Sequence, residues 1–180
     1  MQQRSIGNDT VGRLDVGAIG LGAMPLSSKE DRPRPAEADA TVHAALDAGV
    51  TLIDTADAYA HDESEFGHNE ELVARALRSY GDTSSVLVAT KGGHTRDGSA
   101  WGLDGSPSYL RKACEASLRR LGVEAIGLYQ FHRPDPRRRG RCRWPRCASC
   151  STTAWCAWWA SPTPPSRRST RPARSSGTRW

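Results

Sequence analysis

The stretch Val50 to Tyr59, V-T-L-I-D-T-A-D-A-Y, limits the folds open to this chain more than any other. It opens with the β-branched and apolar residues Val50, Thr51, Leu52 and Ile53, then turns abruptly polar at Asp54. A run apolar on both faces reads as a strand buried on both sides, as in a parallel sheet covered by helices. In such sheets binding and catalytic groups gather at the carboxyl ends of the strands. Asp54 stands at such an end, and Tyr59 follows five residues later, far enough into the loop to turn back toward it. By itself the pair is equally consistent with a surface aspartate and a tyrosine capping the next helix. Two later strands separate these readings.

Taken in order, the chain alternates strand and helix. Residues 1–10 are polar and expected to be disordered, and Val11 to Val16 could form one arm of a short hairpin. Ala18 to Met24 reads as a short buried strand, whose Gly20 and Gly22 let another backbone or a flat ligand approach. The G-x-G-x-x-G dinucleotide fingerprint is absent. Ala36 to Ala48 carries an apolar stripe at Val42, Ala45 and Leu46, with Gly49 where a helix C′ glycine belongs. A second helix is expected from about Asn69, its N-cap, to Tyr80, with Leu72, Val73, Ala76 and Leu77 on its apolar side. Val86 to Thr90 is the next strand, with Lys91 at its exit. A glycine-rich loop leads to Ser106-Pro107, a cap and first-turn proline, which open a third helix stopped by Gly122. Ile126 to Phe131 is a further strand, with His132 at its exit. This alternation predicts parallel strands with right-handed crossovers, either half of a barrel or a doubly wound sheet.

Successive strand exits thus bring Asp54, Lys91 and His132 to one rim, with Tyr59 in the loop above. Singly, Lys91 could be a solvated rim lysine and His132 a loop histidine bonded to backbone; the joint placement points to chemistry. A phenol, with an ordinary pKa near ~10, is a reluctant donor to most bases but a ready one to an alkoxide. A neighbouring ammonium helps its proton leave. A carboxylate keeps the ammonium charged and oriented, and an imidazole can hydrogen-bond a carbonyl and set its position. His43, His61, His68 and His94 receive no role.

Four segments, L-I-D-T-A-D-A-Y, N-E-E-L-V-A-R-A-L, V-A-T-K and G-L-Y-Q-F-H-R-P-D, occur in that order at suitable spacings. Together they resemble the N-terminal half of an aldo-keto reductase, from about Leu14 to Pro136. The resemblance implies an α/β fold, the N-terminal half of a (β/α)8 TIM barrel, and NADPH-dependent reduction of aldehydes or ketones to alcohols. It implies Asp54, Tyr59, Lys91 and His132 as the catalytic residues, with Tyr59 as the general acid. It also implies that Gly22, Ala23 and Met24, together with Asp54, lie beside the cofactor, and that hydride passes to the carbonyl carbon without a metal. Ala60 departs from the family, where a glycine commonly follows the tyrosine.

A complete barrel of this kind needs roughly 250 residues, and this chain has 180. After Pro136 the composition changes at once. From Arg137 to Trp180 there are 11 Arg and no acid, so the preceding residues hold 14 Lys+Arg against 20 Asp+Glu, a net of −6. The organisation expected is therefore a disordered N-terminus at 1–10, a partial reductase barrel at 11–136, and an Arg-, Trp- and Cys-rich tail at 137–180. No apolar run approaches the roughly 20 residues of a membrane helix. Met1 to Thr10 also lacks the apolar core of a secretory signal, so cytoplasm is the expected compartment and disulfides are not expected.

Within the tail, Cys147-x-x-Cys150 has zinc-ligand spacing, but no second such pair follows, and no metal is expected. Its Arg and Trp content could also make a nucleic-acid arm on a non-catalytic protein, with binding that weakens steeply in salt. The favoured reading is that the tail is out of frame. Trp is encoded only by TGG. Reading from one nucleotide earlier, Trp155-Cys156 and Trp158-Trp159 each force a Val codon, and Trp159-Ala160 forces Gly. The remaining codons permit V-V-R-L-V-G-I-S-N, which resembles the family's next strand. One lost nucleotide, or two gained, near codons 136–140 accounts for the shift. Resequencing the gene across codons 130–145 should reveal it; an unbroken frame there would retire this reading.

Overall fold

A computed structural model describes residues 1–8, 12–133, 135 and 136. The zinc, nucleic-acid and reading-frame expectations for 137–180 lie outside the described residues. The described chain is built on four parallel strands. These are β3 (Leu21–Gly22), β4 (Leu52–Asp54), β5 (Leu87–Gly92) and β8 (Leu128–Phe131), hydrogen-bonded in that order. Three helices cross between them: α1 (Pro35–Asp47), α2 (His68–Tyr80) and α3 (Pro107–Leu121). Each strand lies next to the one before it, with no reversal of order. A doubly wound sheet reverses its order at a switch point; an unreversed run is an arc of a β/α barrel.

Local sequence explains the helix limits. Pro35 opens α1, where Glu37 folds back to accept from the Arg34 backbone N–H at 3.0 Å, and Gly49 (φ 85°) follows its end. Ser106 caps α3 by accepting from Tyr109 N at 3.2 Å, and Gly122 (φ 70°) ends it. Two apolar clusters hold the layers together. Val42, Leu46, Ile53, Leu72, Val73 and Ala76 fill the space between α1, α2 and the sheet, and Cys114, Leu121, Ile126 and Tyr129 fill that beside α3.

The structure corrects several expectations. Residues 3–8 are a strand, β1 (Gln3–Asn8), paired antiparallel with β2 (Gly12–Gly17). Their polar sequence hid this because the hairpin is held by backbone hydrogen bonds rather than by an apolar face. Gly17 N donates to Thr51 Oγ1 at 2.7 Å, which puts this hairpin at the start of β4, opposite the Asp54 end. Of the strand expected over 18–24, only Leu21–Gly22 forms a strand: a bend at Ala18 and Ile19 precedes it, and a 3-10 turn over Met24–Leu26, carrying Pro25, follows it. The glycine-rich loop after β5 contains a hairpin of its own, β6 (His94–Asp97) with β7 (Ala100–Leu103).

Asn69 is not the cap of α2; Gly67 is, at φ 91°. Asn69 is instead fully buried. Its Nδ2 donates to Ala23 O at 2.8 Å and Ser27 Oγ at 2.6 Å, and its Oδ1 accepts from Thr55 Oγ1 at 2.6 Å. Ser27 Oγ in turn donates to Tyr59 O at 2.7 Å. One amide thus ties the segment after β3, the exit of β4 and the Tyr59 backbone. Asn69→Ala strands several buried polar groups, each costing about 1–3 kcal/mol. Urea unfolding should show a loss of roughly 2–4 kcal/mol, and a loss below ~1 kcal/mol would show that these groups find other partners.

Candidate active site

Asp54 is the last residue of β4, Lys91 is the penultimate residue of β5, and His132 directly follows β8. The parallel register, with Asp54 opposite Ala89 and Lys91 opposite Gln130, brings all three to one rim. Lys91 Nζ donates to Asp54 Oδ2 at 2.7 Å, Thr55 O at 2.9 Å and Tyr59 Oη at 3.1 Å. An ammonium has three protons and no lone pair. The Tyr59 oxygen must therefore accept from Lys91, which leaves the phenolic proton free for another acceptor.

The loop that aims Tyr59 is rigid for simple reasons. Thr55, Ala56, Asp57, Ala58 and Ala60 are each 0% exposed and small enough to pack against the sheet. Thr55 N donates to Ala89 O at 2.8 Å, Asp57 N to Lys91 O at 3.3 Å, and Gly67 N to Asp57 O at 2.6 Å. The alanine at position 60, a departure from the family pattern, fits this tight packing.

His132 stands with its ring 5.4 Å from that of Tyr59, edge to face at 84°, and its backbone N–H donates to Gly92 O at 2.9 Å. Burial, then the nearby His94 and Lys91, hold its pKa down at about 3. The imidazole is thus neutral at ordinary pH. Its Nδ1 is buried with no hydrogen-bond partner among the described residues.

The β6–β7 hairpin walls the site, and the sequence reading passed over its residues. His94, given no role, packs edge-on to His132 with ring centroids 4.3 Å apart. Its Nδ1 lies 3.0 Å from Gly102 O, so that nitrogen carries the proton, and Tyr109 Oη donates to His94 O at 2.9 Å. Arg96 stacks on Trp101 at 4.2 Å and donates to Ala60 O at 2.8 Å, fastening the hairpin to the Tyr59 loop. Trp101 remains 47% exposed beside His94. The available signal was Gly98-Ser99, the two-residue loop between β6 and β7 and a hairpin turn pair.

On the other side of Asp54, Gly22 pairs with it across the sheet, and Ala23 N donates to Asp54 O at 2.8 Å. Ala23 is buried, whereas Gly22 and Met24 are exposed. A Cβ placed on Gly22 would meet nothing within 4 Å. This open strip beside Asp54 fits the flat ring of a dinucleotide cofactor. Among the described residues no cluster of His, Cys, Asp and Glu could hold a metal ion, and no helix is long and apolar enough to cross a membrane.

The model of the Aldo/keto reductase family matches residues 18–153, a span that takes in the start of the Arg-rich stretch. The chain belongs to that family. Among solved structures it is similar to an aldo-keto reductase from Bacillus halodurans in its holo form, with 32% identity and a TM-score of 0.60 over 73% of this chain and 40% of that one. It is also similar to the glycerol dehydrogenase of Gluconobacter oxydans, with 35% identity and a TM-score of 0.61 over 76% of this chain and 40% of that one. The chain therefore spans about 40% of the length of these relatives.

A His132 pKa near 3 in the fold, against an ordinary 6.5, has a definite consequence. The unfolded chain takes up this proton first, so the stability tied to the neutral ring is present above pH 6.5 and lost as pH falls toward 3. In the 180-residue chain the His132 ring resonances should stay in their neutral positions down to about pH 4. A titration midpoint near 6.5 would show the ring to be solvated instead.

Proposed function

We propose that these residues form the acid–base part of an NADPH-dependent reductase of small aldehydes or ketones. The observation that carries this reading is the bond from Lys91 Nζ to Tyr59 Oη at 3.1 Å, made while the same ammonium holds Asp54. With its oxygen accepting from Lys91, Tyr59 offers its proton to a carbonyl oxygen as negative charge develops there. The Lys91 charge then stabilises the phenolate left behind, and Asp54 keeps the ammonium in place. Neutral His132, 5.4 Å ring to ring from Tyr59, donates a hydrogen bond that orients the carbonyl. Gly22, Ala23, Met24 and Asp54 would hold the cofactor, which supplies the hydride when bound. The relative named as a glycerol dehydrogenase supports a carbonyl–alcohol pair as the substrate class.

Turnover, in this reading, belongs to a completed barrel. The described residues contribute four parallel strands, and the relatives are more than twice as long as the matched part. Restoring the frame near codons 136–140 is proposed to supply the rest, and the 180 residues alone are proposed not to reduce aldehydes. In the frame-restored protein Tyr59→Phe should lower kcat for carbonyl reduction by about 10²–10⁴-fold, the usual contribution of general acid catalysis. NADPH binding, followed by fluorescence titration, should persist in that variant. Near-normal turnover would remove Tyr59 from the acid role.

A further inference from the structure

The second aspartate of D-T-A-D-A-Y takes no part in the chemistry above, yet it is fully enclosed beside the site. Asp57 is 0% exposed, and neither carboxyl oxygen has a well-formed hydrogen bond among the described residues, the backbone N–H of Ala58 giving it only weak support. A buried, unpaired carboxylate is among the costliest groups a fold can hold. We propose that Asp57 is a positioning residue that keeps its proton in the working protein, and that the neutral acid lets the Tyr59 loop stay packed between the sheet and α2.

Charge balance around Asp57 carries the inference. The groups that face it are Glu70 of α2, Arg120 and Tyr109 of α3, Lys91 of β5 and Tyr129 of β8. Both cations are already matched. Arg120 donates to Glu70 Oε2 at 2.8 Å, and Glu70 is itself fully buried, with Oε1 accepting from Thr90 Oγ1 at 2.5 Å. Lys91 places its three bonds on Asp54, Thr55 and Tyr59. An ionised Asp57 would be a third carboxylate against two cations. Burial, and next the Glu70 charge, push its pKa up to about 8, in keeping with this count. Tyr109 and Tyr129, both pushed up first by burial and next by Asp57, supply no counter-charge.

The main chain shows what the proton protects. Asp57 N donates to Lys91 O at 3.3 Å, and Asp57 O accepts from Gly67 N at 2.6 Å. The residue therefore joins β5 to the start of α2, two positions before Tyr59. Charging its side chain draws this turn toward solvent and takes the phenol with it. The effect on turnover rests on the reading of Tyr59 as proton donor; the protonation itself does not.

Two measurements on the full 180-residue chain test the inference without any assay of turnover. In carbon-13 NMR of labelled aspartate, the Asp57 carboxyl should titrate with a midpoint near 8 rather than near 3.8. Because the folded pKa is the higher one, the native state holds the extra proton between those values, and stability should fall as pH rises through the window. Asp57→Asn, which is neutral at every pH, should remove that fall and leave the variant with the higher urea midpoint at pH 9. A carboxyl midpoint in the ordinary range, or an asparagine variant less stable than the parent at pH 9, would overturn the proposal. Should the variant fail to fold, the titration of the parent chain decides. Loss of carbonyl reduction with Asp57 titrating as stated would count against the reductase reading alone.

Discussion

The ammonium of Lys91 is the joint on which the site depends. It reaches Asp54, Thr55 and Tyr59 at once, and all three lie on β4 or in the loop that leaves it. Only a parallel pairing of β4 with β5 in the observed register brings that nitrogen to that loop. Removal of the charge would leave the Asp54 carboxylate and the Thr55 carbonyl without their donor, and the phenol without the group that fixes its lone pair. The Asp54 carboxylate, the Thr55 carbonyl and the Tyr59 phenol are thus coupled through one side chain with three protons and no acceptor.

A second tie acts from the opposite side. Asn69, on the first turn of α2, gathers Ala23, Ser27 and Thr55, and Ser27 passes the restraint to the Tyr59 carbonyl. The loop from Thr55 to Ala60 is held by these two anchors and by its own small residues, with little freedom left to any of them. Restraint of this kind holds the Tyr59 phenol in one place before any partner arrives. The same enclosure creates the electrostatic difficulty at Asp57, since a loop sealed from water on the sheet side cannot solvate a carboxylate.

The hairpin β6–β7 completes the surroundings. It turns the β5 exit from an open rim into a walled site, with His94 against His132 and Arg96 against the loop after Tyr59. His132 is pressed between Tyr59 and His94, and this enclosure rather than any single partner keeps its imidazole neutral. The exposed Trp101 ring gives the wall an apolar face beside the site.

Asp54, Tyr59, Lys91 and His132 were legible in the sequence because each sits at a fixed offset from an apolar run. Strand period and helix spacing are local properties, and alternation of the two dictates parallel strands whose ends share a rim. The limits of α1 and α3 were legible for the same reason, since proline, serine and glycine act within a few residues of themselves. Tertiary structure alone decided what depends on groups far apart in the chain. Asn69 read as a helix cap until its partners, 14 to 46 residues away, proved to be two side chains and a carbonyl of two other segments. His94 and the β1 arm of the first hairpin were overlooked because ring stacking and backbone pairing leave no periodic trace. The protonation of Asp57 and the neutrality of His132 follow from burial, which exists only once the helices have closed over the sheet.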